Sequence, residues 1–187
     1  MSPGKPFAGS FLHRQSIRMR LTDYTDYALR VMLFLSLHRD GLSTIQDISD
    51  AYGISKNHLM KVVQQLGELG WIDTVRGRHG GLRLNERSLG LTIGQVVRET
   101  ETDFALVGCF ERESSEVRPC VIEPRCRLKQ VFKAAQEAFL AELDRHTLGE
   151  LVEPVAAPLA ALLGLSAEVV VPLKGPVRPL ANGVPDS

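Results

Sequence analysis

The chain has 187 residues, with 22 Lys and Arg against 22 Asp and Glu and a formal net charge of zero. That length holds one domain of ordinary size plus an appendage, and neutrality excludes steering by overall charge, so any nucleic-acid contact needs a local patch. No run reaches the roughly 18–20 apolar residues of a membrane span, and the N-terminus lacks the apolar core of a secretory signal; the chain reads as cytoplasmic, with no membrane contact.

Residues 1–18 are rich in Gly, Ser, Pro and basic residues without an apolar period, and are expected to be a disordered extension. Met19 is a candidate alternative start, because patterned sequence begins directly after it. "LTDYTDYALRVMLFLSLHRDG" (21–41) is a helix with Thr22 or Asp23 as cap and Gly41 past its end. Its apolar residues run nearly all round, which places it at the centre of a fold or of a dimer.

"STIQDISDAYGISKNHLMKVVQQLGELGW" (43–71) reads as two short helices joined by a turn at Gly53. Ser43 or Thr44 caps the first, Ser55 caps the second, and Gly70 suits the position after its end. This is the helix-turn-helix pattern. "WIDTVRGRHGGLRLN" (71–85) is a β-hairpin whose glycines supply positive φ, with Leu82 and Leu84 inward and Arg83 outward. Helix-turn-helix plus hairpin gives a mainly α fold with a small β-hairpin, a winged helix-turn-helix over residues 19–100.

"LTIGQVVRETE" (91–101) is a short helix capped by Thr92. A loop spanning 101–126 follows and holds all three cysteines. "RLKQVFKAAQEAFLAELDRHTL" (127–148) is amphipathic, with Leu128, Val131, Phe132, Ala135, Phe139 and Leu143 along one side. A stripe that large, outside a compact winged helix, needs a partner, and a second copy is the simplest one; residues 127–152 are therefore expected to form a dimerisation helix. Residues 153–187 turn to Pro, Ala, Gly and Val without an amphipathic period and are expected to be a flexible tail.

The second helix of a helix-turn-helix enters the major groove with its N-terminal residues at base edges. Here those are Ser55, Lys56, Asn57 and His58, with Lys61 one turn on. Asn pairs bidentately with adenine, and Lys reaches guanine or phosphate. The hairpin adds Arg76, Arg78, His79, Gly80 and Arg83. From 55 to 83 the charges are Lys56, Lys61, Arg76, Arg78 and Arg83 against Glu68 and Asp73, a local positive excess suited to phosphate. Winged helices also serve as protein-interaction modules, and a basic helix is often a solvated face, but the combination points to double-stranded DNA. His58 and His79 read as polar contacts rather than metal ligands.

Cys109, Cys120 and Cys126 are spaced Cys-x10-Cys-x5-Cys. Structural zinc sites favour close pairs, and ferredoxins use other spacings. Three thiols are also a poor disulfide framework for a reducing compartment. Metal binding or redox chemistry is the leading reading, against three unrelated reduced cysteines clustered by chance: Arg118, Arg125 and Arg127 lie beside the thiols, where they would lower thiol pKa and offset thiolate charge.

Together "MRLTDYTDYALR" (19–30), "SKNHLMKVVQQL" (55–66), "RGRHGGLRL" (76–84), "GQVVRETE" (94–101) and "CVIEPRCRLKQVFKAAQEAFLAELDRHTLGELV" (120–152) resemble the NsrR branch of the iron–sulfur winged-helix repressors, sister to the IscR regulators. The resemblance covers roughly residues 19–153. It implies a homodimer in which Cys109, Cys120 and Cys126 hold an iron–sulfur cluster, 4Fe–4S ahead of 2Fe–2S. It further implies that Asp26 from the partner subunit completes the site, with Arg30 orienting the carboxylate. The sister branch places a histidine just past the third cysteine, where this chain has Lys129 and Gln130. The ten-residue first gap is longer than this family's loops. Read without the resemblance, Asp26 is a capping or dipole partner of its helix.

The function so implied is a nitric-oxide-sensitive repressor of nitric-oxide detoxification genes. The alternatives are an iron–sulfur-dependent regulator of cluster assembly and a general redox-responsive transcription regulator. An enzyme is not expected: no paired acid and base, nucleophile elbow or cofactor fingerprint occurs.

Overall fold

The computed structural model describes residues 20–39, 41–107, 121–122 and 125–165. Along the chain run α1 (Asp23–Leu37), α2 (Ile45–Tyr52), α3 (Lys56–Glu68), β1 (Ile72–Val75), β2 (Gly81–Leu84), a 3₁₀ turn (Glu86–Gly90), α4 (Ile93–Thr100), α5 (Leu128–Leu143), α6 (Leu148–Val152), a second 3₁₀ turn (Glu153–Val155) and α7 (Ala156–Leu162). The extension at 1–18 lies outside the described residues.

α1 begins where the Thr22 side chain accepts a hydrogen bond from the Thr25 N–H. Being apolar on most sides, it becomes the axis of the core, with Ala28, Val31, Met32, Phe34, Leu35 and Leu37 no more than 2% exposed. α3, α4, α6, α7 and β2 all pack on it. Of the two sites open to such a helix, it occupies the centre of the fold, where each of those elements takes its hydrocarbon out of water.

α2 starts with a reciprocal cap between Thr44 and Asp47 and ends at Gly53, whose φ of 66° is left-handed. That conformation lets the chain reverse into α3 without a Cβ penalty. Ser55 is the residue before α3 but makes no side-chain capping bond. Leu59, Val62, Val63 and Leu66 turn one stripe of α3 into the core. Ser43, the other candidate cap for α2, instead exchanges main-chain bonds of 2.9 and 2.7 Å with Leu82, which docks the hairpin beside α2.

The hairpin pairs Ile72 with Leu84, Asp73 with Arg83, Thr74 with Leu82 and Val75 with Gly81. Leu82 and Leu84 are buried. The positive φ of its turn falls at Gly77 (116°), not at Gly80 or Gly81. Those two are glycine for space: a Cβ on Gly80 would collide with the Val75 carbonyl oxygen, and one on Gly81 would lie 2.9 Å from the Ser43 carbonyl oxygen.

Two expected boundaries shift. The helix after the cysteines ends at Leu143, because the chain turns at Asp144–His146 to meet α4. There Asp144 pairs with Arg98 and accepts from Thr92, and His146 accepts from the Ile93 N–H at 2.9 Å. Thr147 then caps the separate α6 with Glu150. The expected flexible tail at 153–187 is helical through α7: Ala160 is fully buried, and Ala156, Leu159, Leu163 and Leu165 pack against the core. Pro158 is accommodated because it falls in the first turn of α7, where no helical hydrogen bond is lost. Residues 166–187 lie outside the described residues.

Among the α-helices of the described residues, α5 alone has no buried residue. Leu128 (59%), Val131 (61%), Phe132 (36%) and Phe139 (41%) stay exposed, so its apolar stripe is uncovered in the single chain. No helix among the described residues is long and apolar enough to cross a membrane.

Candidate functional site

The buried stripe of α3 fixes which of its residues face outward. Lys56, Asn57, His58, Lys61 and Gln64 are exposed, as is Ser55 just before the helix. Met60, half exposed on the same helix, is a surface residue that sequence reasoning passed over. In the hairpin Arg76, Arg78 and His79 are exposed, and Gly80 is half-buried. Among the described residues no ion pair engages Lys56, Lys61, Arg76 or Arg78, which leaves their charge for an outside anion.

Two candidates are used differently. Arg83 donates from Nε to Asp73 Oδ2 at 3.0 Å across the hairpin, which largely cancels its charge. Gly80 has a folding role of its own: its N–H closes the turn on the Gly77 carbonyl oxygen at 3.0 Å, and there is no room for a side chain.

α3 is held by α1 and α4 through contacts that no local pattern announces. The Tyr24 hydroxyl donates to the Lys61 carbonyl oxygen at 3.2 Å. Burial first, then the charge of Glu68, holds that hydroxyl above its ordinary pKa, so it remains a donor. The Tyr27 and His58 rings stack with centroids 5.9 Å apart and planes 21° from parallel. Gln65 Nε2 donates to the Glu99 carbonyl oxygen at 2.8 Å, tying α3 to the end of α4. Glu101, which opens the cysteine loop, accepts from the Thr22 N–H at 3.0 Å and from the buried Thr25 hydroxyl at 2.7 Å.

Asp26 lies in the first turn of α1, and its Oδ2 accepts from Arg30 Nε at 2.9 Å. Both side chains are about half exposed. The Arg30 guanidinium also stands 5.6 Å from the centroid of the Tyr52 ring on α2. Cys126 is a free, half-buried thiol just ahead of α5, flanked by exposed Arg125 and Arg127. Cys109 and Cys120 lie outside the described residues. Within those residues no group of three or more His, Cys, Asp or Glu converges as a metal site, so Asp26 and Cys126 do not form one within this part of the protomer.

The far end of α5 is clasped to α4. Asp144 takes a two-point hydrogen bond from the Arg98 guanidinium, 2.6 Å on one side, and a third bond from the Thr92 hydroxyl at 3.2 Å. The Arg98 bond is the main reason the Asp144 carboxyl is held below its ordinary pKa; the Arg98 charge and Thr92 add to it. Gly94 lies beneath this clasp, where a Cβ would strike the Asp144 carboxylate.

A family profile described as Rrf2, iron-dependent transcriptional regulator, matches residues 21–154. A Bacillus subtilis (strain 168) protein named HTH-type transcriptional regulator NsrR is 52% identical over 136 residues, which cover 72% of this chain and 91% of that one. A relative of the same name in Geobacillus kaustophilus (strain HTA426) is 49% identical over 140 residues, 74% of this chain and 93% of that one. These relatives are regulators rather than enzymes. Among solved structures, the oxidised form of Staphylococcus aureus CymR superposes with a TM-score of 0.56 at 25% identity, covering 72% of this chain and 97% of that one. T. potens IscR gives 0.55 at 20% identity, covering 73% and 88%, and speaks to the fold alone.

Proposed function

The chain belongs to the Rrf2 family of transcriptional regulators, and on that premise we propose that it is a DNA-binding repressor whose operator affinity is set by an iron–sulfur cluster and abolished by nitric oxide. The observation that carries this reading is α1. One helix bears the exposed carboxylate of Asp26 and, through Tyr24 and Tyr27, touches two residues at the DNA-reading end of α3.

The donor set fits a cluster shared between two subunits. Cys126 is a free thiol flanked by two exposed arginines, whose charge would help offset that of an anionic cluster. Arg30 engages Oδ2 of Asp26 and leaves Oδ1 outside that ion pair, so the carboxylate can be oriented and still ligate. Cys109, Cys120 and Cys126 of one subunit, with Asp26 of the other, would hold the cluster, which we take as 4Fe–4S. When bound, it supplies iron that nitric oxide attacks. Carboxylate is a harder and weaker partner for iron than thiolate, so Asp26 would be the ligand most readily given up.

The chain's own residues do the rest. The uncovered stripe of α5 pairs two copies, and the dimer sets the spacing of two α3 helices over successive turns of duplex. Ser55, Lys56, Asn57, His58 and Lys61 meet base edges and phosphates, while Arg76, Arg78 and His79 meet the flanking backbone. Were Asp26 released, α1 would no longer be tied to the partner subunit, and α3, which α1 holds through Tyr24 and Tyr27, would lose its operator register. A swing from mostly bound to mostly free requires the two states to differ by about 5.5 kcal/mol in DNA affinity.

Anaerobic purification tests the reading. A brown protein whose absorbance bleaches with nitric oxide while binding to a duplex selected from a random pool falls is the expected result. A colourless protein under full iron supply, with DNA affinity indifferent to nitric oxide, overturns it. If chelation changes binding but nitric oxide has no special potency, the protein senses cluster supply instead. Asp26→Ala is expected to change the spectrum and lower cluster content; if content, spectrum and DNA affinity all match wild type, Asp26 is not a ligand.

A further inference from the structure

α1 meets α3 in two ways. The first is the apolar contact of Leu59, Val62, Val63 and Leu66 with the core. Such contact resists separation, but it is weakly directional, so it defines position along a helix axis poorly. The second is directional. Tyr24 and Tyr27, one turn apart on α1, reach the Lys61 carbonyl oxygen and the His58 ring, one turn apart on α3. A hydrogen bond at 3.2 Å and a near-parallel ring stack each lose their geometry when one helix slides along the other. Both contacts are made to residues in the first half of α3, the part presented to base edges. Asp26 lies between the two tyrosines in sequence.

We propose that Tyr24 and Tyr27 are positioning residues that fix the register of α3 on α1, so that a displacement of α1 at Asp26 reaches His58 and Lys61. This rests on the reading of the protein as a DNA-binding regulator governed through Asp26. The two tyrosines serve it unequally. Tyr27 holds a side chain that itself faces DNA, whereas Tyr24 holds only main chain, so Tyr27 governs specificity more strongly.

The test compares wild type with Tyr24→Phe, Tyr27→Phe and Tyr27→Leu, each purified anaerobically with its cluster and again after chelation. Affinity is measured for a duplex that wild type selects from a random pool and for a random-sequence duplex of equal length. Tyr27→Leu is expected to weaken binding of the selected duplex by about threefold to tenfold, the scale of one lost directional contact, and to leave the random duplex unchanged. Tyr27→Phe keeps the stack and restores wild-type affinity, and Tyr24→Phe gives a smaller loss. Tyr27→Leu is also expected to shrink the ratio of cluster-loaded to chelated affinity.

The proposal is overturned if Tyr27→Leu and Tyr24→Phe bind the selected duplex as wild type does. It is also overturned if both duplexes weaken equally, or if wild-type binding depends on the cluster and Tyr27→Leu leaves the loaded-to-chelated ratio unmoved. Tyr24→Phe removes a single oxygen, so it keeps the test decisive should Tyr27→Leu fail to fold. If wild-type binding ignores the cluster altogether, the functional reading fails, while the selected-to-random comparison still decides the positioning claim.

Discussion

Arg83 and Arg76 carry the same charge on the hairpin but not the same duty, because Asp73 lies opposite Arg83 and no ion pair among the described residues engages Arg76. Replacing Arg76 or Arg78 by Ala is therefore expected to weaken binding to all duplexes and to reduce the slope of log affinity against log salt by about 1 each. Arg83→Ala is expected to leave that slope nearly unchanged and to cost at most about 1 kcal/mol of stability, as for an exposed pair. Titrating binding across salt concentrations checks both. The basic hairpin was legible from composition, whereas the partition of its charges depended on cross-strand register, which one-dimensional charge counting does not contain. Gly80 shows the same limit: its glycine is required by the Val75 carbonyl oxygen, a contact visible only once the turn is closed.

The junction of α4 with α5 governs behaviour at the level of elements. Because the folded pKa of Asp144 is depressed, its ion pair stabilises the protein above the unfolded carboxylate value of about 4 and is lost as pH falls through the lower folded value. Both groups are more than a third exposed, so solvent screening limits the effect to at most about 1 kcal/mol. Asp144→Asn should be less stable than wild type near neutral pH and equal to it in strong acid, as read by urea unfolding at several pH values. Gly94→Ala should break the same clasp at a similar cost, at most about 1 kcal/mol, since the added methyl displaces only the movable end of the Asp144 side chain. The helices up to α4 were readable because caps and apolar stripes coincide there, as in the Thr44–Asp47 and Thr92–Gln95 boxes. The end of α5 was not, because the chain turns there to meet α4, through Arg98 and Thr92 on Asp144 and the Ile93–His146 main-chain bond, contacts distant in sequence. α7 was missed because it is apolar without period and is defined by the groove it fills on α1.

For the whole molecule the uncovered stripe of α5 sets the expectation. Phe132→Asp together with Phe139→Asp should convert a dimer into a monomer in sedimentation velocity, with the winged domain still folded by circular dichroism, since neither residue is buried in the protomer. The same variant should lose the selected duplex far more than a random one, because two half-sites are read only by two linked α3 helices. A wild-type chain that sediments as a monomer would count against the two-copy arrangement. The exposed stripe of α5 was legible from its spacing alone, and that a second copy covers it is what this variant tests. The cysteine loop was legible as chemistry but not as geometry: Cys109 and Cys120 lie outside the described residues, and a ligand set shared between two chains, as proposed, would leave no spacing rule in either one.

The clasp at Asp144 makes α5 a cantilever. It is anchored to the winged domain at one end and carries Cys126 just beyond the other, with 16 residues between, a span of about 24 Å. A tilt of only about 5° at the anchor would swing the free end by about 2 Å, most of an iron–sulfur bond. On the proposed dimer, the opposing helix would be what holds the thiol still. Cluster loading should accordingly be a readout of dimer stiffness, and the monomeric variant should come off the column colourless even though every cysteine it needs is present.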